Sequence, residues 1–296
     1  MTEPDLTAQL LANGPFAREG APYSLVTVAG PDAGEFLQRL CSQDVLGLGE
    51  GAAAPAAFLD AKGKVLVTCL VQQIAGSYWL ETQATQGPRL LELLERYHFT
   101  EKLTIAVPPQ PDRCAEWIGA ADEATPPTGD AVRFEFTRHG VTFVRAHAAA
   151  PAGVALPGAA LTEERAEALR MAAGLVRVGV ETEANTLALE AALDDHCSTT
   201  KGCYTGQEIV ARIHTYGHVN RRLCLLRLPM GEAITAPAPL HELEDELAVG
   251  RVLHAVAVPE LALRVGLGYL PKDFQAPGTE LALEGGVRVR IEAWNG

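Results

Sequence analysis

The sequence predicts an α+β protein that ends in a separate antiparallel β unit. Three observations carry that reading. Before residue 221, segments with an apolar helical face are interspersed with strand-like runs. After Arg212 no helical face recurs, and four apolar runs split by turn residues follow, at 222–228, 250–258, 263–270 and 287–291. No fixed-period repeat or sustained low-complexity tract interrupts the pattern. The expected division is therefore an α+β region over 1–220 and a small barrel or open sheet over 221–296, which suits a chain of 296 residues.

The elements follow in order. The first fourteen residues read as a loose lead-in, and 24–28 as a short strand broken by Gly30-Pro31. Asp32 and Glu35 stand in capping spacing and open a helix with Phe36, Leu37, Leu40 and Cys41 on one face. A Gly/Ala-rich connection leads to Ala57-Phe58-Leu59 and then to a turn at 60–64. Two strands, 65–73 and 78–82, are joined around Gly76. Leu90, Leu91, Leu93, Leu94 and Tyr97 give a helical face after Pro88, and 102–107 is a strand ended by Pro108-Pro109. Residues 112–120 read as a short helix, 125–130 as a loop, and 132–137 with 141–145 as a hairpin. Thr162 opens a helix over 162–173 with Ala166, Leu169, Ala172 and Ala173 inward, and 187–193 reads as packed helix.

Composition bounds the function. With 48% hydrophobic and 21% charged residues, the chain can build a large core without disulfides. No signal-peptide pattern is seen at its start, and its longest apolar run, 65–71, is too short to span a bilayer, so a cytoplasmic protein with reduced thiols is expected. The net charge of −13 repels nucleic acid. One local basic patch, formed by Arg212, His214, His218, Arg221 and Arg222, either receives a small anion or lines a solvated edge. No Cys-x-x-Cys pair occurs among the six cysteines, so zinc and self-contained iron–sulfur sites are poorly supported.

The most specific signal is Lys201-Gly202-Cys203-Tyr204-Thr205-Gly206-Gln207-Glu208. Thr205 and Glu208 stand in capping-box spacing, which predicts a helix N-terminus just after Cys203. Helix N-termini and a nearby lysine favour thiolate over thiol. Gly202 and Gly206 allow tight bends and close backbone approach. Two readings of Cys203 stand level at this point: a reactive thiol, and a small buried hydrophobe of the kind most free cysteines are. Cys41, Cys69, Cys114, Cys197 and Cys224 read as packing residues.

That octapeptide resembles the motif of the folate-binding YgfZ family, which is related to the aminomethyltransferase (T-protein) of the glycine cleavage system. The similarity runs through nearly the whole chain: residues 28–38, 42–45, 189–194, 250–252 and 266–270 resemble further family segments. It implies a three-lobed α+β fold around a central channel that binds tetrahydrofolate, with a C-terminal antiparallel β-barrel. It also implies a role in assembling or repairing iron–sulfur clusters, with reduced folate and iron–sulfur client or assembly proteins as partners. In that setting Cys203 is the reactive or ligand-exchanging group and Lys201 holds it as thiolate. Gln207 and Glu208 supply the cap and polar contacts. Tyr204 stacks on a flat ring or packs in the core, and Arg212 takes an anionic tail through two parallel hydrogen bonds.

Two departures separate the chain from T-proteins. Val67 and Thr68 stand where those enzymes carry an acidic pair, so general acid–base help is missing there. Ala172 stands where they hold the pterin ring with a glutamate, so a pterin would be gripped otherwise. The expected function is therefore a tetrahydrofolate-binding iron–sulfur maintenance protein. The rivals are a non-catalytic scaffold, an aminomethyltransferase-type transferase, and a cysteine hydrolase with His196 as base.

Overall fold

The computed structural model describes residues 5–20, 23–109, 113–119, 132–148, 158–217, 219–231, 234–243 and 247–294. The chain runs through α1 (Leu6–Leu11), β1 (Phe16–Gly20), β2 (Tyr23–Ala29), α2 (Ala33–Leu40), β3 (Ala53–Leu59), β4 (Val65–Ile74), β5 (Ser77–Gln83), α3 (Gly87–Arg96) and β6 (Thr104–Ala106). There follow β7 (Arg113–Ile118), β8 (Val132–Arg138), β9 (Val141–Ala148), β10 (Ala159–Ala160), α4 (Glu163–Ala172) and α5 (Gln207–Tyr216). The last strands are β11 (Arg221–Pro229), β12 (Ala238–His241), β13 (Ala248–Val258), β14 (Leu263–Pro271), β15 (Glu280–Ala282) and β16 (Arg288–Glu292).

Two five-stranded sheets and a barrel organise these elements. One sheet has the order β3-β4-β5-β2-β6 and the other β10-β1-β7-β9-β8. The first packs one face on α2 and α3 through Val26, Val28, Val67, Val71 and Leu80, against Phe36, Leu37, Leu90 and Leu94. Its other face turns Leu25, Ala57 and Leu70 into the main core shared with the second sheet and α4. Burial on both faces explains why 65–71 is apolar at every position but Thr68 rather than alternating.

The six C-terminal strands form a closed barrel in the order β11-β14-β13-β12-β15-β16. Along β11, Cys224, Leu226 and Leu228 belong to the barrel's own core, whereas Leu223 and Leu225 join the main core. The barrel thus shares a hydrophobic core with the rest of the chain. β14 runs so close to β13 that a Cβ on Gly268 would lie 2.6 Å from the Arg251 carbonyl oxygen, which leaves room only for glycine.

Several elements differ from expectation. The lead-in contains α1, with Leu6 and Leu10 fully buried. Asp5 Oδ2 accepts from the Ala8 N–H at its start, and Arg165 donates to the carbonyls of Leu10 and Ala12 at its end. The expected helix at 112–120 is instead strand β7 over its described part, paired along its length with β1 and β9. Glu116, Trp117 and Ile118 are all buried there, so tertiary pairing overrides local propensity. The segment 187–193 is packed as expected, but as a series of turns, with Ala192 in a left-handed conformation (φ 56°) that no helix continues through. Asp32 precedes α2 without capping it; its Oδ2 accepts from the Lys102 N–H at 2.6 Å. The loop read at 125–130 lies outside the described residues. Among the described residues no helix is long and apolar enough to cross a membrane.

Candidate functional site

The cysteine motif forms a loop leading into α5, built differently from a capping box. The helix starts one residue later than expected, with Gly206 at the N-cap (φ 84°) and no side-chain cap. A Cβ on Gly206 would lie 2.6 Å from the Asp60 carbonyl oxygen, so the glycine seats the motif on the turn at 60–64 rather than against a ligand. Asp60 Oδ1 holds that turn by accepting from the N–H groups of Lys62 and Lys64. Glu208 is exposed and caps nothing, and Gln207 Nε2 reaches only the Lys201 carbonyl, at 3.5 Å.

Lys201 corrects the largest expectation. Its ammonium is buried and donates to the carbonyl oxygens of Gln38 (2.7 Å), Cys41 (2.7 Å) and Gln43 (2.6 Å). Those contacts use all three donors of an ammonium, which therefore clamps the motif onto the C-terminal end of α2 rather than facing the Cys203 thiol. Burial pulls the ammonium below its ordinary pKa, against the raising effect of its neighbours Cys41, Asp44 and Cys197. Tyr204 is buried in the main core with the Lys201 Nζ 5.0 Å from its ring centroid, so it packs instead of offering a stacking platform.

Cys203 itself is exposed, and each of the other five cysteines is buried. Burial pushes the thiols of Cys197 and Cys224 up to about 12 and those of Cys41, Cys69 and Cys114 upward as well. His196 is buried with its Nδ1 2.9 Å from Asp195 Oδ1, and it borders the central cavity, which the exposed Cys203 does not, so the two are not brought together as base and nucleophile. Asp195 is in turn gripped by Arg138 at 2.6 and 2.9 Å. The basic patch is largely neutralised. Arg222 pairs with Asp194 at 2.5 Å, and Arg221 lies near Glu183 and Glu190 and over the Tyr269 ring. Arg212 and His214 are exposed on α5, and His218 lies outside the described residues.

A cavity of about 380 Å³ opens where the two sheets meet α4. None of Lys201, Cys203, Tyr204, Gln207, Glu208 or Arg212 lines it. β4 and β5 contribute Thr68, Leu70 and Glu81; the second sheet contributes Arg18, Glu116, Phe136, Phe143 and Arg145; α4 contributes Glu167 and Arg170. Of the two positions that replace the T-protein acids, Thr68 faces this cavity and Val67 faces α2 and α3. Ala172 is buried in the main core and does not line it.

The cavity wall is a chain of buried ion pairs that sequence reasoning missed. Arg145 donates to Glu81 (2.5 Å) and to Glu116 (2.9 Å) while its guanidinium lies 4.2 Å from the Tyr23 ring centroid. Arg18 continues the chain from Glu116 to Glu163. His147 Nε2 lies 2.5 Å from Glu81 Oε1. Burial raises the Glu81 carboxyl, but Arg145 and the His147 hydrogen bond outweigh it and hold the pKa below its ordinary value. A second group joins Glu167 to Arg170, Arg177 and His254, and joins Glu181 to Arg170. The only sequence signal for either group was a carboxylate inside an apolar strand pattern, Tyr78-Trp79-Leu80-Glu81.

Glu167 yields a pH prediction. Burial raises its carboxyl, but hydrogen bonds from His254 and Arg170 and the charges of Arg170 and Arg177 carry it well below 4.5. A depressed carboxylate stabilises the fold fully above its unfolded pKa, and that contribution is lost as pH falls toward the folded value. The urea midpoint of wild type should therefore exceed that of Glu167→Gln at about pH 7, and the gap should shrink steadily toward about pH 3. A gap independent of pH would show that the ion-pair group does not hold the carboxylate ionised.

The arrangement defines a protein with the architecture of the glycine cleavage aminomethyltransferases. The aminomethyltransferase T of Bartonella henselae superposes with a TM-score of 0.77 over 97% of this chain and 87% of that one, at 18% identity. In sequence, the tRNA-modifying protein YgfZ of Klebsiella pneumoniae is 30% identical over 270 residues, covering 82% of this chain and 81% of its own length. The chain belongs to the YgfZ family. A mitochondrial iron-sulfur cluster assembly factor homolog of Phaeosphaeria nodorum is 27% identical, over 77% of this chain and 58% of that protein. No family model matches the chain.

Proposed function

We propose that this chain binds a reduced folate in the central cavity and acts in the assembly or repair of iron–sulfur clusters, with Cys203 as its functional thiol. The observation that carries the reading is the division of labour between cavity and motif. A cavity of about 380 Å³ lies within the range of small-molecule sites and pairs apolar walls with a few fixed charges. Leu70, Phe136, Phe143 and Leu175 supply apolar surface for a flat heterocycle, and Glu81 and Thr68 supply acceptors. Those apolar walls and acceptors fit a pterin, and a bound reduced folate would supply one-carbon carrier chemistry there. Cys203 adds the one thiol that solvent and partner proteins can reach. The likeness to a named iron-sulfur cluster assembly factor supports the cellular role.

The Klebsiella relative is named a tRNA-modifying protein. With a net charge of −13 and Arg221 and Arg222 set against carboxylates, direct contact with tRNA is not part of the proposal. A second reading, a non-catalytic scaffold, is favoured by the absence of Cys203 from the cavity lining. Calorimetric titration of the full chain with reduced folate tests the proposal. Saturable binding near one equivalent is expected. A folded protein that releases no heat across the titration and does not protect against thermal unfolding would remove folate from the reading.

A further inference from the structure

We propose that His196 is the proton acceptor of the central cavity: its Nε2 takes a proton from a protonated nitrogen of the bound ligand, while Asp195, fixed by Arg138, holds the imidazolium that forms. The inference rests on the reading above only in taking a reduced folate as the molecule that covers the ring; the state of the imidazole is tested without it.

The geometry gives the two ring nitrogens different tasks. Nδ1 lies 2.9 Å from Asp195 Oδ1. A carboxylate there keeps the proton on Nδ1 and leaves a lone pair on Nε2. Asp195 is itself held through both oxygens by Arg138, which also donates to the carbonyls of Ala173 and Ala192. Ser42 Oγ donates to the His196 carbonyl at 2.6 Å and fixes the backbone. His196 is 5% exposed, yet its Nε2 has no hydrogen-bond partner among the described residues and is not closed off from open space. His196 borders the central cavity, whereas Asp195 borders a separate cavity beside β11 and β16 and not the central one. The Nδ1 edge of the ring therefore points away from the central cavity, and the Nε2 edge points toward it.

The surrounding charges suit a base. Burial lowers the imidazole most; the Asp195 hydrogen bond raises it, Arg138 lowers it, and the charges of Asp195 and Asp194 raise it, with a net fall below its ordinary value. β3 and β4 bring no charged side chain to the ring, and burial keeps the Cys69 and Cys197 thiols protonated. Across the cavity Glu81 and Glu116 are paired with Arg145, and Glu167 with Arg170. His196 is thus uncharged near pH 7 and able to accept. The same surroundings select the acid. A hydroxyl that lost its proton here would leave a buried anion facing a buried cation. A protonated nitrogen only passes its positive charge on: its N–H bond breaks, the electron pair stays on the ligand nitrogen, and the new imidazolium lies against the Asp195 carboxylate.

Diethyl pyrocarbonate acylates an imidazole nitrogen that is unprotonated and reachable, and peptide mass spectrometry of the treated full chain locates it. His196 is expected to react in the free protein, at a rate that rises with pH to a plateau, with its midpoint below about 6.5. His147, also buried but with Nε2 held by Glu81, is expected to resist. In Asp195→Asn the midpoint for His196 is expected to move to lower pH, because the carboxylate that favours the charged ring is gone. With 5-formyltetrahydrofolate at about ten times its dissociation constant, acylation of His196 should slow about tenfold while that of the exposed His214 is unchanged. His196→Gln, with a melting temperature near that of wild type, is expected to lose support of iron–sulfur enzymes in cells that carry only the variant. An unreactive His196 in the folded chain, a rate that bound folate leaves unchanged, or full support by a folded His196→Gln protein overturns the proposal. If His196→Gln does not fold, the acylation rates decide. If no reduced folate binds and His196 still reacts with the expected pH dependence, the folate reading falls and the proton acceptor stands.

Discussion

Replacing Cys203 with serine is expected to abolish support of iron–sulfur enzymes in cells while moving folding stability by less than about 0.5 kcal/mol. The two halves of that expectation rest on different observations. Stability should hold because Cys203 is exposed, on a loop whose position is set by Lys201 and Gly206 on either side. Function should fail because serine keeps the size and loses the soft, ionisable sulfur that attacks electrophiles or exchanges iron ligands. The buried thiols cannot replace it, since burial raises the pKa of each. The measurement is the activity of iron–sulfur enzymes in cells that carry only the variant, paired with its urea midpoint. Wild-type enzyme activity in those cells would end the role of the thiol. A large drop in midpoint would mean that the sulfur packs, contrary to its exposure.

The cysteine motif was legible in the sequence because its signal is local, with glycines, a lysine and a helix start within eight residues, but the exposure of Cys203 was not. The hairpins were legible for the same reason, since two short strand-like runs and a turn residue such as Gly76 between them specify them without help from distant chain. What failed to show depends on partners far away in sequence. α1 is closed by Arg165, which lies 155 residues beyond Leu10. β7 reads as a short helix until β1 and β9 flank it. Glu81 reads as an ordinary polar position in a strand, and becomes a buried acceptor only when Arg145, 64 residues on, lies against it. Lys201 is the sharpest case. Two positions from a cysteine it reads as an electrostatic partner, but the fold sends its ammonium to residues about 160 positions earlier. Proximity in sequence located the motif and misassigned its lysine, because a side chain as long as lysine chooses among all the acceptors the tertiary structure brings within reach.

That reassignment predicts a large stability effect at Lys201. Two of the carbonyls it serves, those of Gln38 and Cys41, belong to the last turn and cap of α2, where backbone acceptors have no intrahelical donor, and the third, of Gln43, lies just beyond. A cation at that end also complements the helix dipole. Lys201→Met keeps the length of the side chain and removes its three hydrogen bonds, leaving the oxygens of Gln38, Cys41 and Gln43 without their donor. Relief of the buried charge offsets part of the loss, so the net cost is expected to be about 3 kcal/mol rather than the sum of three charged hydrogen bonds. In a chain of this size that lowers the melting temperature by roughly 5 °C. The same variant separates the two roles considered for the lysine. If the clamp is its role, Cys203 in the variant, held well below its melting temperature, should alkylate at the wild-type rate. A stable variant whose Cys203 alkylates markedly more slowly would instead restore the ammonium as the partner of the thiolate, and would require it to leave its three carbonyls to act.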